Sequence, residues 1–487
     1  MTLGLDAAVG DGPQGPDGPE VPVGGASEEL PAGWARATLG ELGEWFGGGT
    51  PSKKRPEFWT DGTIPWLSPK DMGPDVLAAT QDLIHESALD ASPVKLVPAG
   101  SVALVVRSGI LEHKVPVTYV PFDVTLNQDM KAVVPHHGID GRWLAWAIRE
   151  RERYILENCR KHGTTVASLE VPWLMSTEIL VPPHEEQLRI VTEIEQQVVR
   201  IEAGETAVRI AKKRVADLVQ AIRTKALWPT DGEPNPGDWE WGIVDDVLEG
   251  IEAGKSFTCL PRPAEDDEWG VIKVSAMTWG EFRPEENKAL PPERVPNSDY
   301  EIQSGDILVS RANTVDYVGA PVLVGPTRGK LLLSDKSLRL IPKSNVDPNW
   351  LIHVLSSLPV RAYYSESATG TSDSMRNISQ KVVRSAKIPI PRSGAVRKKI
   401  AQEINDRIAL VEGFQPLLAE HEERARSLRA SLLKAAFTGA LVPQDSADEP
   451  ASALLDRIRA EQKAKAPRKR AARKPRSTPP GQEELPS

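Results

Sequence analysis

The stretch LEGIEAGKS, Leu248 to Ser256, ends in a Gly-Lys-Ser that is the chemical signature of a nucleotide-phosphate loop. Such a loop needs a glycine, four residues, and then Gly-Lys-Ser/Thr, because the first glycine permits the turn that aims successive N–H groups at phosphate oxygens. Counting back from Gly254, that place is held by Glu249, and the nearby Gly250 is one residue late. A carboxylate where the backbone should wrap an anion rejects the nucleotide reading. In PPHEEQ, His184 stands beside two glutamates. It lacks a second ligand at metal spacing and reads as a cap or surface residue. The chain carries no His-Glu-x-x-His, no Asn-Pro-Pro-aromatic or Asp-Pro-Pro-aromatic motif, no cysteine–histidine cluster and no convincing nucleophile triad. Catalytic residues and metal ligands are therefore both expected to be absent.

The elements around these residues are written twice. At an offset of 205 to 210 residues, AGWARATLGE falls on GDWEWGIVDD with Trp34 over Trp239, and VPAGSVALVVRSG falls on IQSGDILVSRANT with Gly100 over Gly305 and Arg107 near Arg311. Gly163-Thr164 falls on Gly370-Thr371, and Gly254-Lys255-Ser256 on Gly49-Thr50-Pro51 of FGGGTPSKK. What both copies share there is a glycine-rich turn beside positive charge, chemistry suited to a close backbone approach or a phosphate diester. A period of about 200 residues means a duplicated domain rather than a solenoid. Each copy mixes short β runs (SVALVV, VPVTYV, DILVS, PVLVG) with Gly/Pro/Asp turns and helical stretches such as DGRWLAWAIRERERYILEN. Trp34, Trp66 and Trp239 read as packing residues rather than base stackers.

Each copy closes with a long helix. In the first, Ile194, Val198, Ile201, Val208, Val215, Val219 and Ile222 recur at alternating three- and four-residue steps; in the second, Ile404, Ile408, Val411, Leu418 and Leu432 do so. Both seams falter in the middle, at Glu205 and Gln415. The economical partner for each is the other, antiparallel, forming a rod of roughly 60 Å for about 40 residues.

The chain of 487 residues suits two to four domains. Its formal net charge of −9 is unevenly spread: residues 1–29 carry six acids and no base, while the segment after Pro443 has ten bases against seven acids. A grip on DNA must then come from local basic patches or from a partner. Both ends have compositions that cannot offset their ordering entropy, apart from an amphipathic helix EPASALLDRIRAE with Leu454, Leu455 and Ile458 on one face. Cys159 and Cys259 are isolated in sequence, and no secretory leader or membrane-length apolar run is apparent, so a soluble cytoplasmic protein without membrane contact is expected.

Duplicated units opening on LPAGWARATLGEL, GGGTPS and IPWLSPKDM, passing through VVRSG and LNQDM, and closing with GTTVASL and ILVPPHEEQLRIV resemble the specificity subunit of type I restriction-modification systems over about residues 30–443. The second copy departs from this pattern, with RSGAVRKKIA replacing the acidic-Gln version; DEPASALLDRIRAE is similar to tails often found there. The resemblance implies an α+β fold: two similar mixed α/β target recognition domains joined by two long antiparallel coiled-coil helices, related by an internal pseudo-two-fold repeat. The expected layout is a disordered acidic Gly/Pro-rich segment 1–29, recognition domain 30–183, helix 184–230, recognition domain 231–392, helix 393–440, and a tail 441–487 with a short amphipathic helix and a basic disordered end. It implies a noncatalytic reader of bipartite double-stranded DNA, with spacer length set by the coiled coil. The implied partners are two methyltransferase subunits and the restriction subunits. No cofactor is expected on this chain; S-adenosylmethionine, ATP and Mg belong to the partners. The rival reading is a noncatalytic coiled-coil scaffold without DNA readout.

Base discrimination calls for paired donors and acceptors, Arg or Lys for guanine and Asn or Gln for adenine. In the first copy the candidates are Thr50, Ser52, Lys53, Lys54, Arg55, Ser68, Lys70, Arg107, Ser108, Asn127, Gln128, Lys161, Thr164 and Thr165. In the second they are Lys255, Ser256, Lys273, Ser275, Arg311, Asn313, Lys336, Thr371, Ser372 and Arg376. Most of these are expected to meet phosphate or solvent, since half or more of protein–DNA hydrogen bonds go to the backbone.

Overall fold

The computed structural model describes residues 30–161, 166–228, 239–278, 280–294, 296–370 and 375–465. The disordered ends expected for 1–29 and for the basic tail after 465 lie outside them. The chain divides into two compact units: unit 1 is Met1–Ala203 with Arg424–Ser487, and unit 2 is Gly204–Glu423.

Among its described residues unit 1 has ten strands: β1 Ala35–Thr38, β2 Gly43–Gly47, β3 Ile64–Leu67, β4 Asp82–Ile84, β5 Leu96–Val97, β6 Ser101–Val105, β7 Val117–Val120, β8 Val124–Leu126, β9 Met130–Pro135 and β10 Glu178–Val181. They form one sheet in the order β2-β9-β6-β7, a second in the order β4-β3-β8-β5, and a β1–β10 pair. Within the second sheet β3 and β8 run parallel. The sequence of β6, SVALV, is apolar almost throughout because both its faces are covered. Val102 and Leu104 meet Trp143 and Leu144 of the helix Gly141–Glu150. Ala103 and Val105, one step out of phase, pack with Leu67, Val97 and Leu126 of the other sheet. The helix begins where it does because Asp140 accepts from the Trp143 N–H at 2.8 Å.

Unit 2 repeats the plan. Its strands are β11 Trp239–Ile243, β12 Leu248–Ala253, β13 Gly270–Ile272, β14 Asn287–Ala289, β15 Ile307–Ser310, β16 Ala312–Asn313, β17 Pro321–Leu323, β18 Leu331–Leu332, β19 Ser337–Pro342, β20 Arg376–Asn377 and β21 Lys387–Pro391. The order β12-β19-β15-β17 and the β11–β21 pair match those of unit 1, and β14-β13-β18 matches its second sheet without a counterpart of β5 among the described residues; β13 and β18 are again parallel. In β15, Ile307 and Val309 share a core with Trp350 of the helix Pro348–Leu355, while Leu308 packs with Ile272 and Val324.

The first long helix, His184–Leu227, is unbroken over 44 residues. The second is two helices, Gly394–Glu412 and Gln415–Phe437, which corrects the expected single helix over 393–440. Pro416 has no N–H to offer the Glu412 carbonyl, so the ladder breaks there and the chain turns at Gly413-Phe414. The unit boundary cuts across both long helices, so each unit holds a piece of each. In unit 1 Glu202 meets Arg429 at 3.3 Å, Ile194 and Val198 share a core with Leu432 and Ala436 farther along the second helix, and Arg189 meets Asp448 beyond its end at 2.6 Å, an order that marks antiparallel packing. In unit 2 Lys212 pairs with Glu422 at 2.7 Å, and Val219 and Ile222 share a core with Ile404, Ile408 and Val411. Of the seam residues, Ile194, Val198, Val219, Ile404 and Ile408 are buried; Ile201, Val208, Val215, Ile222, Val411, Leu418 and Leu432 are half-buried.

The signature after Pro-Pro has a structural cause. Glu186, buried, accepts from the Trp34 indole N–H at 3.1 Å. Gln187, also buried, accepts from the Asp140 N–H at 2.8 Å and donates to the Pro182 carbonyl at 3.1 Å. In the second copy Arg397 stands where Gln187 does and instead donates to the Asn345 carbonyl at 3.0 Å. The tail helix Ala451–Lys465 seats Ala451, Leu454, Leu455 and Ile458 in the core of unit 1, and Arg459 pairs with Glu41 at 3.0 Å. No helix among the described residues is long and apolar enough to cross a membrane.

His353 of unit 2 is buried, with Nε2 2.8 Å from Asn405 Oδ1. Burial, and then the nearby Arg223 charge, lower its imidazolium pKa from 6.5 to about 4. The unfolded chain therefore binds this proton between those values while the folded chain does not, so stability falls as pH drops through that window. His353→Gln, which keeps a donor for Asn405, is expected to remove roughly 2–3 kcal/mol of that loss in chemical denaturation followed between pH 7 and 4.

Candidate nucleic-acid interface

In unit 1 the glycine-rich loop after β2 is pressed against the β8–β9 turn. A Cβ on Gly48 would lie 1.8 Å from the Asn127 carbonyl oxygen, a contact only glycine permits. Gly49 N–H donates to the Leu126 carbonyl at 2.8 Å, and the buried Trp66 indole donates to the Gly49 carbonyl at 3.1 Å. Unit 2 repeats the contact: a Cβ on Gly254 would lie 2.1 Å from the Ser334 carbonyl oxygen. This sets the register one residue from the expected one, with Gly254 matching Gly48 rather than Gly49. The glycine of Gly-Lys-Ser thus serves chain-to-chain approach.

The loops gather a polar cluster in unit 1. Thr50 Oγ1 bonds Gln128 Oε1, Gln128 Nε2 donates to Asp129 Oδ2 at 3.0 Å, and Asp129 Oδ1 lies 3.2 Å from Arg107 Nε. Gln128 and Arg107 are exposed. Asn127 and Ser68 differ from expectation, since both are buried in local structure. Asn127 Oδ1 accepts from Asp129 N–H at 2.8 Å, an Asx turn, and the Ser68 hydroxyl donates to Asp71 at 2.9 Å. Ser108 caps a turn by accepting from Ile110 N–H at 3.4 Å. Lys70 is paired with Asp82 at 2.7 Å and Lys161 with Glu170 at 3.6 Å. Ser52, Lys53 and Lys54 are exposed on the same glycine-led loop. Arg55 lies 4.2 Å over the Phe58 ring and pairs with Glu57 at 2.7 Å. Thr164 and Thr165, with Thr371 and Ser372 of unit 2, lie outside the described residues.

Unit 2 builds a different surface on the same frame. A cleft of about 430 Å³ is lined by Lys255, Ser256, Lys273, Lys288, Ser334, Asp335 and Lys336. Lys255 sits 4.8 Å over the Tyr300 ring. Glu286 draws two candidates together, accepting from Ser275 Oγ at 2.6 Å and from Lys273 Nζ at 3.2 Å. Those two bonds, Ser275's first, hold its carboxyl below the usual range. Arg311 is exposed at the end of β15, its N–H donating to the Lys336 carbonyl at 2.8 Å. Asn313 and Arg376 pair through their backbones in β16–β20, and Asn313 Nδ2 donates to Ser310 Oγ at 3.2 Å. Sequence reasoning missed Lys288 and the organising carboxylates Asp129 and Glu286. The one available signal was adjacency, Asp129 following Gln128 and Glu286 standing two residues before Lys288. Among the described residues no group of three His, Cys, Asp or Glu side chains is placed to hold a metal.

The family model for the type I restriction modification DNA specificity domain matches residues 31–208. Over these residues the chain is similar to type I restriction-modification DNA specificity domains. The chain is similar to the EcoR124I/EcoR124II specificity subunit of Escherichia coli, 49% identical over 154 residues covering 32% of this chain and 38% of that one. The EcoEI specificity subunit of Escherichia coli is 31% identical over 245 residues, 48% of this chain and 41% of that one. The matches thus span about two fifths of each curated relative. A solved chain from work on complex assembly and conformational transition of the type I R-M system superposes with a TM-score of 0.62 at 18% identity, covering 85% of this chain and 100% of that one. That likeness bears on the fold alone.

Gly48→Ala and Gly254→Ala are each expected to displace a loop from its turn and cost at least about 2 kcal/mol in denaturant melts. Alanine at Gly73, where nothing lies within 4 Å, is the control expected to change little.

Proposed function

We propose that this chain is the DNA sequence-specificity subunit of a type I restriction-modification complex, in which each unit reads one half of a bipartite target. The observation that carries the reading is the doubled platform: the same glycine-against-carbonyl contact, at Gly48 and Gly254, supports exposed polar residues in one unit and a lysine-lined cleft in the other. Arg107 and Arg311 stand just beyond the equivalent strands β6 and β15 and suit guanine edges or phosphate. The lysines of unit 2 suit phosphate diesters, giving binding that weakens with salt.

Chemistry in this reading belongs to other chains. Two methyltransferase subunits with S-adenosylmethionine, and ATP- and Mg-dependent restriction subunits, assemble on this one in the cytoplasm. Leu410, Phe414 and Leu417 of unit 2 are large apolar side chains left exposed on the helices and the turn between them, which supports a protein partner there. The half-closed seam of the long helices supports a role for their length in choosing the spacer between half-sites.

Arg107→Ala and Arg311→Ala are expected to weaken recognition at different half-sites by about 1–3 kcal/mol each, read by footprinting with the methyltransferase present. Equal loss at both halves would contradict the modular reading, and a scaffold without readout would show no site preference in wild type. Deleting one heptad between Val208 and Val215 is expected to change the spacer length among methylated sites in methylome sequencing. Unchanged spacing would remove the ruler.

A further inference from the structure

Gln128 is exposed at the β8–β9 turn of unit 1, and its amide is held at both ends. Nε2 donates to Asp129 Oδ2 at 3.0 Å, and Oε1 accepts from the Thr50 hydroxyl. A carboxylate only accepts, so it is Nε2 and not Oε1 that faces Asp129, and the orientation of the amide follows from chemistry. Asp129 is fixed in turn: its N–H donates to Asn127 Oδ1 at 2.8 Å, its carbonyl accepts from Val106 N–H at 2.9 Å, and its side chain lies 3.2 Å from Arg107.

An amide engaged once at each end keeps one hydrogen on Nε2 and one lone pair on Oε1. That pair is the complement of the adenine major-groove edge, where N7 accepts and the N6 amine donates. Guanine presents two acceptors, thymine an acceptor and a methyl, and cytosine a donor, so none satisfies both positions. We propose that Gln128 is the adenine-reading residue of unit 1, with Thr50 and Asp129 as its positioning residues; the assignment rests on the DNA-specificity reading above. Because the rotamer is ordered before DNA arrives, little conformational freedom is lost on contact. The matching turn of unit 2 has Asp335, which offers no donor to N7, so this device belongs to one half of the target.

The test uses the full chain with its methyltransferase partners and a pool of duplex DNA randomised across the bound region, sequenced after selection. Wild type is expected to enrich a bipartite site with adenine at a position that Gln128→Ala relaxes by roughly 5- to 150-fold, the other half being unchanged. In a duplex of the enriched sequence, 7-deazaadenine at that position is expected to weaken wild type by a similar factor and leave Gln128→Ala unaffected. Thr50→Val is expected to lose part of the adenine preference with an unchanged melting temperature. If Gln128→Ala selects the same bases as wild type, or both proteins respond equally to 7-deazaadenine, the assignment is overturned while the specificity reading stands. If wild type enriches nothing, the reading beneath it fails and the assignment with it.

Discussion

A backbone carbonyl set against a glycine Cα is the contact on which each candidate reading surface depends. At Gly48 and again at Gly254 the absence of a side chain lets one loop lie on the turn between two strands, close enough to share hydrogen bonds. The strands beneath are buried on both faces, so the turn is anchored in rigid structure. What projects above it is therefore held in place without a core of its own. The same contact explains how the units can differ so much in surface chemistry, since no residue above the turn is needed to keep the turn where it is.

The sequence revealed this plan unevenly. Strands such as SVALV and DILVS were legible because double-sided burial leaves a continuous apolar run. The repeat was legible because Trp34 and Trp239 and the paired Arg107 and Arg311 survive in it. The role of Gly254 was half legible: its mismatch with a phosphate loop could be counted, whereas the carbonyl it approaches belongs to Ser334, eighty residues later. Asn127 looked like a base reader because an amide shows no sign in sequence of whether it turns inward. Asp129 and Glu286 were overlooked because a carboxylate does not advertise itself as the organiser of the polar groups around it.

The long helices show the same limit at larger scale. Their three-and-four periodicity was plain, and the weak point near Gln415 has a local cause in Pro416. The division of each helix between two units was not plain, because Ile194 is buried with Ala436 and Phe437 whereas Ile404 is buried with Val219 and Trp350. Only the tail helix, whose Leu454, Leu455 and Ile458 share one face, announced that it needed a surface to cover.

That tail has a consequence for biosynthesis. Unit 2 is one continuous stretch, all of it available once Glu423 has left the ribosome, whereas unit 1 draws Phe437, Leu454 and Leu455 into a core begun by Trp34. Translation thus supplies every residue of the second unit before the first is complete, and the stretch from Phe437 to Ile458 becomes the step on which closure of the unit 1 core waits.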